Sequence, residues 1–419
     1  MTATTGVDVR RVQRRTLGVL VLTQVIGGVG VAIGITVGAL LAESMGGTEI
    51  SGLAQSALVV GAALLALPVT RLMRARGRRP GLALAYGLGA AGAGVIVLAA
   101  TWRSPVLLFV GLFLFGGGSA ANYQARYTAV DLADPARRGR QLSLVVWATT
   151  IGAVAGPNLA PLADGTLQRF GAVEYSGPFV YSALAFAVGA LVVFALLRPD
   201  PLQLARSLAE DPGLGAGVVQ QGVRAAWREV VASPAARLGV ASVAIGHLVM
   251  IAVMAMTPIH IAEAGHPDKL RVVGIVLSLH IAGMYALSPV TGWLTDRIGR
   301  RPVILGGTAL LVAACAVAGT AGHHTGRLSL GLILLGLGWS ATMVAGSTLL
   351  SESVGLANKP AVQGLSDLVM GLAGASAGAL SGLVMAWSSY AALTALAAVA
   401  VVPVVALALR PVPRPAYGA

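Results

Sequence analysis

Charge is what this chain has least of. Only 11% of its 419 residues are Asp, Glu, Lys or Arg, while 56% are hydrophobic. A soluble domain carries about a quarter charged residues, so a water-soluble globule is excluded. Cysteine occurs once, as Cys315, and no intrachain disulfide can form. The chain also lacks a G-x-x-x-x-G-K-[ST] phosphate loop, which argues against ATP as an energy source. Gly116-Gly-Gly118 stands inside an apolar run, where it permits close packing or flexing, not nucleotide binding. No enzymatic motif is present, and no permanently bound cofactor is expected.

What the chain has instead is apolar length. Hydrocarbon about 30 Å thick is crossed by about twenty helical residues. Twelve such segments are expected near 16–42, 51–73, 80–101, 105–132, 142–164, 177–197, 236–262, 271–295, 303–320, 327–351, 361–386 and 388–409. The expected fold is an all-α membrane protein of 12 transmembrane helices, in two pseudo-symmetric six-helix halves. These divide the chain into 1–197, a linker at 198–235, and 236–419. The linker carries Asp200, Glu210, Asp211, Arg224 and Arg228; it is either a plain spacer or holds a surface helix from Val218 to Val231 anchored by Trp227. The first apolar segment is too long for a signal-peptide core, so it is expected to remain as a helix.

The net charge of +13 is topology, not a nucleic-acid footprint. With the N-terminus in the cytoplasm, cytoplasmic segments hold 23 of the 29 Lys and Arg, and Arg103, Arg169, Lys269, Arg271 and Arg327 fall opposite. That is the positive-inside bias, and it predicts both termini on the cytoplasmic side. High Ala and Gly content suggests a bacterium and its inner (plasma) membrane. The expected partners are the lipid bilayer, a small-molecule or metal-ion substrate and possible coupling protons.

One spacing recurs. Gly77-Arg78-Arg79-Pro80 returns as Gly299-Arg300-Arg301-Pro302, and the same offset aligns Gln141 with Gln363, Gly116 with Gly338, and Gly152 to Gly156 with Gly374 to Gly378. A duplicated membrane bundle places a substrate site between its repeats near the bilayer midplane. The chain reads as a transporter.

Gly292-Trp-Leu-Thr-Asp296-Arg297-Ile-Gly299-Arg300-Arg301-Pro302 resembles the signature loop between the second and third helices of a major facilitator half. Asp131 to Arg140 resembles the stretch that ends the fourth helix in that superfamily, and Gly152-x3-Gly156-Pro157 its fifth-helix motif. The resemblance implies a twelve-helix secondary transporter working by alternating access. The fifth-helix motif is often associated with proton-exchanging exporters; physically it gives close packing and a kink at Pro157. In the loop, an acid at a helix end facing Arg forms a clasp that holds one gate conformation, with Gly292, Asp296, Arg297, Gly299 and Arg300 as its members. The first copy departs: Arg74 stands where the acid belongs. Asp131 is the candidate acid to replace it.

Ionisable groups at membrane depth are costly and mark function or structural tethers. Arg126 and Asp131 fall in the fourth expected helix and Asp367 in the eleventh; Gln24 and Asn122 add neutral polarity. Arg126 is a candidate binder of an anionic group, and Asp367 a candidate carrier of a coupling proton. A second constellation is softer. Met250 and Met254 share a face of the seventh helix, as His280 and Met284 do on the eighth. At 1.5 Å per residue, Met254 and His280 both lie roughly 12–14 Å deep, and Met250 and Met284 roughly 18–20 Å. Thioether and imidazole suit Cu(I), while methionine equally fills gaps between packed helices. His247 is on much the same face as Met250.

This pattern is similar to a bacterial subgroup of major facilitators that imports copper, and it implies Met250, Met254, His280 and Met284 as metal ligands. Three functions follow: Cu(I) uptake, with the copper ion as substrate; proton-coupled efflux of a drug or small organic metabolite through Arg126 and Asp367; or a membrane receptor or assembly factor that keeps the fold without transport.

Overall fold

Hydrocarbon offers backbone N–H and C=O groups no partners outside their own segment, so long apolar runs fold as helices. A computed structural model describes residues 8–46, 48–208, 223–263, 269–322 and 324–410. All regular elements among them are helical. The first half contains α1 (Val9–Gly46), α2 (Thr48–Arg76), α3 (Arg78–Trp102), α4 (Pro105–Thr128), α5 (Arg138–Gln168) and α6 (Gly177–Leu196). Two short helices follow, α7 (Pro201–Leu208) and α8 (Val223–Ala232). The second half contains α9 (Pro234–Glu263), α10 (Lys269–Tyr285), α11 (Ser288–Ile298), α12 (Arg300–Gly319), α13 (Thr325–Glu352), α14 (Lys359–Trp387), α15 (Tyr390–Val399) and α16 (Val402–Leu409).

Eleven spans among the described residues are long and apolar enough to cross a bilayer. The fifth, bent by 49° between Gly156 and Leu159, brings the number to twelve. Pro157 stands in that bend, where it cannot donate to the helix ladder. The eighth span is the pair α10 and α11, and the twelfth is α15 and α16. Each second member begins with a proline in its first turn, a position that needs no N–H.

Three expectations need correction. The fourth helix stops at Thr128, so Asp131 stands in the turn beyond it and not on the helix. The first helix runs longer than expected, from Val9 to Gly46. The linker helix begins no earlier than Val223 among the described residues, and residues 218–222 lie outside them. On α8, Ala226 and Val230 are buried against α14 while Trp227 is half exposed.

The first half packs on Tyr86, Phe115, Phe179 and Phe186, with Phe115 edge-on to both other phenylalanines. The second half has its own core, which includes Met250, Met284, Trp339 and Tyr390. The repeated turn is built alike in both: Gly77 has φ +93° and Gly299 φ +96°, a region open to glycine and strained for L side chains. The halves meet where α2 lies on α14 and where α5 lies on α10 and α11.

Candidate functional site

Between the halves lies a cavity of about 230 Å³. Gln24, Asn122 and Arg126 line it from the first half; His247, Trp339 and Asp367 line it from the second. Asn122 and Arg126 are four residues apart on α4, so helical geometry turns both the same way. Among the described lining residues Asp367 is the only acid and Arg126 the only Arg or Lys.

These two charges touch. Arg126 Nη2 donates to Asp367 Oδ1 at 2.6 Å, and Gln124 Nε2 donates to the other oxygen at 2.7 Å. Both side chains are nearly dry, 3% and 2% exposed. Arg126 also donates to the Tyr127 hydroxyl at 3.1 Å, and its guanidinium lies over the Tyr123 and Tyr127 rings at 5.6 and 4.7 Å. Among the described residues Arg126 Nε has no hydrogen-bond partner. The pair links α4 to α14, and therefore one half to the other.

Neutral groups above it are held by the helices themselves. Gln24 Nε2 donates to Thr149 Oγ1 at 3.0 Å and to the Asn122 carbonyl at 3.3 Å. Asn122 Oδ1 accepts from the Tyr86 hydroxyl at 2.9 Å. Trp339 Nε1 donates to His247 Nδ1 at 3.2 Å, which leaves the imidazole proton on Nε2. Tyr123, Tyr285 and Trp339 give the cavity an aromatic wall.

One face of the molecule carries the start of α1, the end of α16 and most of the described Lys and Arg; on this basic face polar ties cross between the halves. Asp296 accepts from the backbone N–H groups of Gly139 and Arg140, both at 2.8 Å, and so caps α5 from the opposite half. Gly292 lies against Gly139 and Ser143. Arg300 grips Glu352 through Nε at 3.0 Å and Nη2 at 2.7 Å, and also reaches the Pro135 carbonyl at 3.0 Å. Arg297 turns aside, over the Trp293 ring at 4.9 Å. In the other copy, Asp131 takes the fully buried Arg78 at 2.7 and 3.1 Å. Arg78 Nη2 then donates across the halves to Gln363 Oε1 at 2.7 Å.

A further acid enters from the linker. Asp200 accepts from Arg79 N–H at 2.7 Å and caps α7 through the N–H groups of Leu202 and Gln203. Gln203 and Arg206 in turn donate to the Arg76 and Arg74 carbonyls. Asp200 followed by Pro201 has the sequence of a helix start, a signal hidden by reading the stretch as a spacer.

A helical bundle repeated about an inter-half cavity, with a repeated glycine turn at one face, has a precedent. The description of the Major Facilitator Superfamily matches residues 17–273 and 268–419. The chain belongs to that superfamily. It is a transporter and not an enzyme. This major facilitator is 39% identical over 386 residues to an uncharacterised MFS-type transporter, YdeG, of Bacillus subtilis, covering 91% of this chain and 88% of that one. It is 28% identical to the riboflavin transporter RfnT of Brucella anthropi, covering 95% of each. Its fold matches the crystal structure of the human organic anion transporter MFSD10 with a TM-score of 0.74, at 17% identity, over 94% of this chain and 99% of that one.

The soft-metal candidates of this major facilitator lie elsewhere. None of Met250, Met254, His280 and Met284 lines the inter-half cavity. Met250 and Met284 are buried in the second half's core, and Met254 packs against it. His280 is fully buried, with Nδ1 2.9 Å from the Leu332 carbonyl of α13, and its Nε2 lacks a partner among the described residues. Copper has no support from the relatives, whose stated substrate, where one is given, is riboflavin.

Gly152 and Gly156 pack α5 onto α1 inside the first half. A Cβ on Gly152 would meet the Gly28 carbonyl carbon at 2.5 Å, and one on Gly156 would stand 3.0 Å from Ile33 N. The side chain of Pro157 lies outside the described set. Trp339, Tyr285 and Thr149 escaped the sequence reading. A tryptophan deep within an apolar span, away from the interfaces where tryptophan concentrates, was the available signal.

Proposed function

We propose that this major facilitator moves a small organic solute through the inter-half cavity, with Asp367 carrying a coupling proton. The supporting observation is the Arg126–Asp367 contact, which puts the only acid of the described lining on the only cation and ties the halves together. A proton on the carboxyl, or an electron-rich group of the solute on the guanidinium, competes with that tie. Either event loosens the bundle and couples occupancy to the rocking of alternating access. Aromatic walls from Tyr123, Tyr285 and Trp339 suit a planar ring, and the polar rim of Gln24, Asn122 and His247 suits its heteroatoms. The riboflavin transporter among the relatives agrees with an organic, ring-bearing solute. The Met/His set, away from the cavity, leaves Cu(I) uptake as the less favoured reading.

The positive-inside rule assigns the basic face to the cytoplasm of a bacterial plasma membrane, with both termini there. On that assignment the ties of Asp296, Arg300, Arg78 and Arg126 shut the cytoplasmic gate.

The test is proteoliposomes carrying a trapped pH dye, challenged with flavins and with aromatic cations and anions. Solute-evoked proton movement is expected with the native chain and its sign gives the direction of coupling. Asp367→Asn should abolish proton movement yet retain solute exchange. Unchanged proton movement in Asp367→Asn would remove Asp367 from the coupling.

A further inference from the structure

The two gate copies are unequal in charge. At the start of α5, Asp296 from the opposite half accepts two backbone N–H groups. The corresponding place at the start of α14 has no such acid, because Arg74 occupies the position that Asp296 holds in the other repeat. Asn358, the N-cap of α14, makes no side-chain capping bond either. A helix start without an acid retains its partial positive charge.

Beside it is a cleft of about 490 Å³ on the basic face. Asp131 and Arg138 from the first half line it, with Glu352 and Lys359 from the second and Leu208 from α7. Its two acids are already held: Asp131 by Arg78 and Glu352 by Arg300. Its two cations are under-used. Lys359 is 5% exposed, and its ammonium has no hydrogen bond or ion pair among the described residues. Arg138 reaches Glu352 only at 3.5 Å, and its buried Nε has no partner among the described residues. The Lys359 ammonium opens onto the cleft from a largely buried side chain, and Asp131 and Glu352 act on it without contact; a further counter-charge there offsets the cost of burying the cation.

We propose that this cleft is a binding site for a phosphate-type oxyanion, held by Lys359, Arg138 and the start of α14. The anion supplies the negative charge that Arg74 withholds. Because Arg138 and Lys359 belong to opposite halves, occupancy clamps the basic-face gate shut. The phosphate group comes either from an anionic lipid headgroup or from a free phosphate compound. This site is separate from the solute cavity and does not depend on the function proposed for it.

The experiment compares the purified chain with Lys359→Met and Lys359→Arg, following thermal unfolding in neutral detergent. Sodium phosphate is matched to chloride at equal ionic strength; nanodiscs of phosphatidylglycerol are matched to phosphatidylcholine. A rise in Tm of several degrees is expected in the native chain and in Lys359→Arg, and not in Lys359→Met. A rise with free phosphate assigns the soluble source, and a rise only with phosphatidylglycerol assigns the lipid. A second readout needs no variant: the bound anion should reduce amine acylation of Lys359 several-fold while Lys269 reacts as before. If neither anion protects Lys359 selectively, or both stabilise Lys359→Met as much as the native chain, the proposal fails.

Discussion

Asp367 on α14 and Arg126 on α4 meet at 2.6 Å across the boundary between the two halves, with both side chains out of water. A buried pair of this kind is weak evidence for stability, because desolvation offsets most of the attraction. Its removal by halves is different, since one uncompensated charge stays behind at about 3–5 kcal/mol. Arg126→Gln and Asp367→Asn should therefore each lower the Tm of the purified chain more than the double variant does. Additive losses in the double variant would show that the two side chains act independently.

Asp367→Asn also imitates the protonated carboxyl. It should weaken the tie to Arg126 and favour opening at the basic face. Val146 lines the cavity, so a Val146→Cys reporter, with the buried Cys315 as background, reads that opening. Alkylation by an impermeant reagent from the basic face should rise several-fold when Asp367→Asn is added. Native-like protection would separate the pair from the gate.

The gate itself yields to Asp296. This carboxylate satisfies two N–H groups at the start of α5, and replacing an N-capping acid by alanine costs about 0.5–2 kcal/mol. Asp296→Ala should also speed alkylation at Val146→Cys from the basic face, because the cap bridges the halves. Arg297→Ala, whose guanidinium lies over Trp293, should leave that rate within twofold of native. Equal effects of the two substitutions would contradict the division of roles within the loop.

How far these relationships were legible in the sequence depends on their range. Helix number, the repeat, and the polarity of Arg126 and Asp367 follow from local composition, since a bilayer rewards apolar length and penalises isolated charge. The partner of Asp367 does not: it is 241 positions away, and no local period encodes it. Asp131 as the acid beside the Arg74 copy was readable from proximity to the helix end, although it binds Arg78 from a turn. Asp200 was lost because its partner Arg79 lies 121 positions away. The Met/His set is a different case. Matched depth on α9 and α10 suggested convergence, and Met250, Met254 and Met284 do share one core cluster, but depth does not say whether that cluster faces the inter-half cavity, and it does not.

That placement has a measurable consequence. His280→Ala with Met284→Ala removes two buried groups from the second half's packing, and each truncation there should destabilise by about 1–4 kcal/mol. Cell-associated copper in a host lacking its own importer should be the same with the double variant as with the native chain, at equal membrane levels. A copper gain that depends on these two side chains would restore the metal site and displace the organic solute.

The final expectation concerns the α1–α5 contact, where glycine is required by space and not by backbone angle. Gly152 lies so close to α1 that a Cβ would approach Gly28 C at 2.5 Å and Val29 N at 2.6 Å. Those are backbone atoms, which cannot rotate aside as a side chain would. Overpacking of this kind typically costs about 1–3 kcal/mol, so Gly152→Ala should lower the Tm and reduce folded yield. Gly87 is the control: it is also helical, and nothing lies within 4 Å of its added Cβ. Alanine there removes backbone freedom from the unfolded chain, and Gly87→Ala should be neutral or stabilising by up to about 1 kcal/mol. Because α1 and α5 belong to the same half, Gly152→Ala should act on stability while leaving the Arg126–Asp367 coupling intact. Proton movement per folded molecule should then match the native chain, and a loss of coupling at full folding would make this contact part of the rocking motion itself.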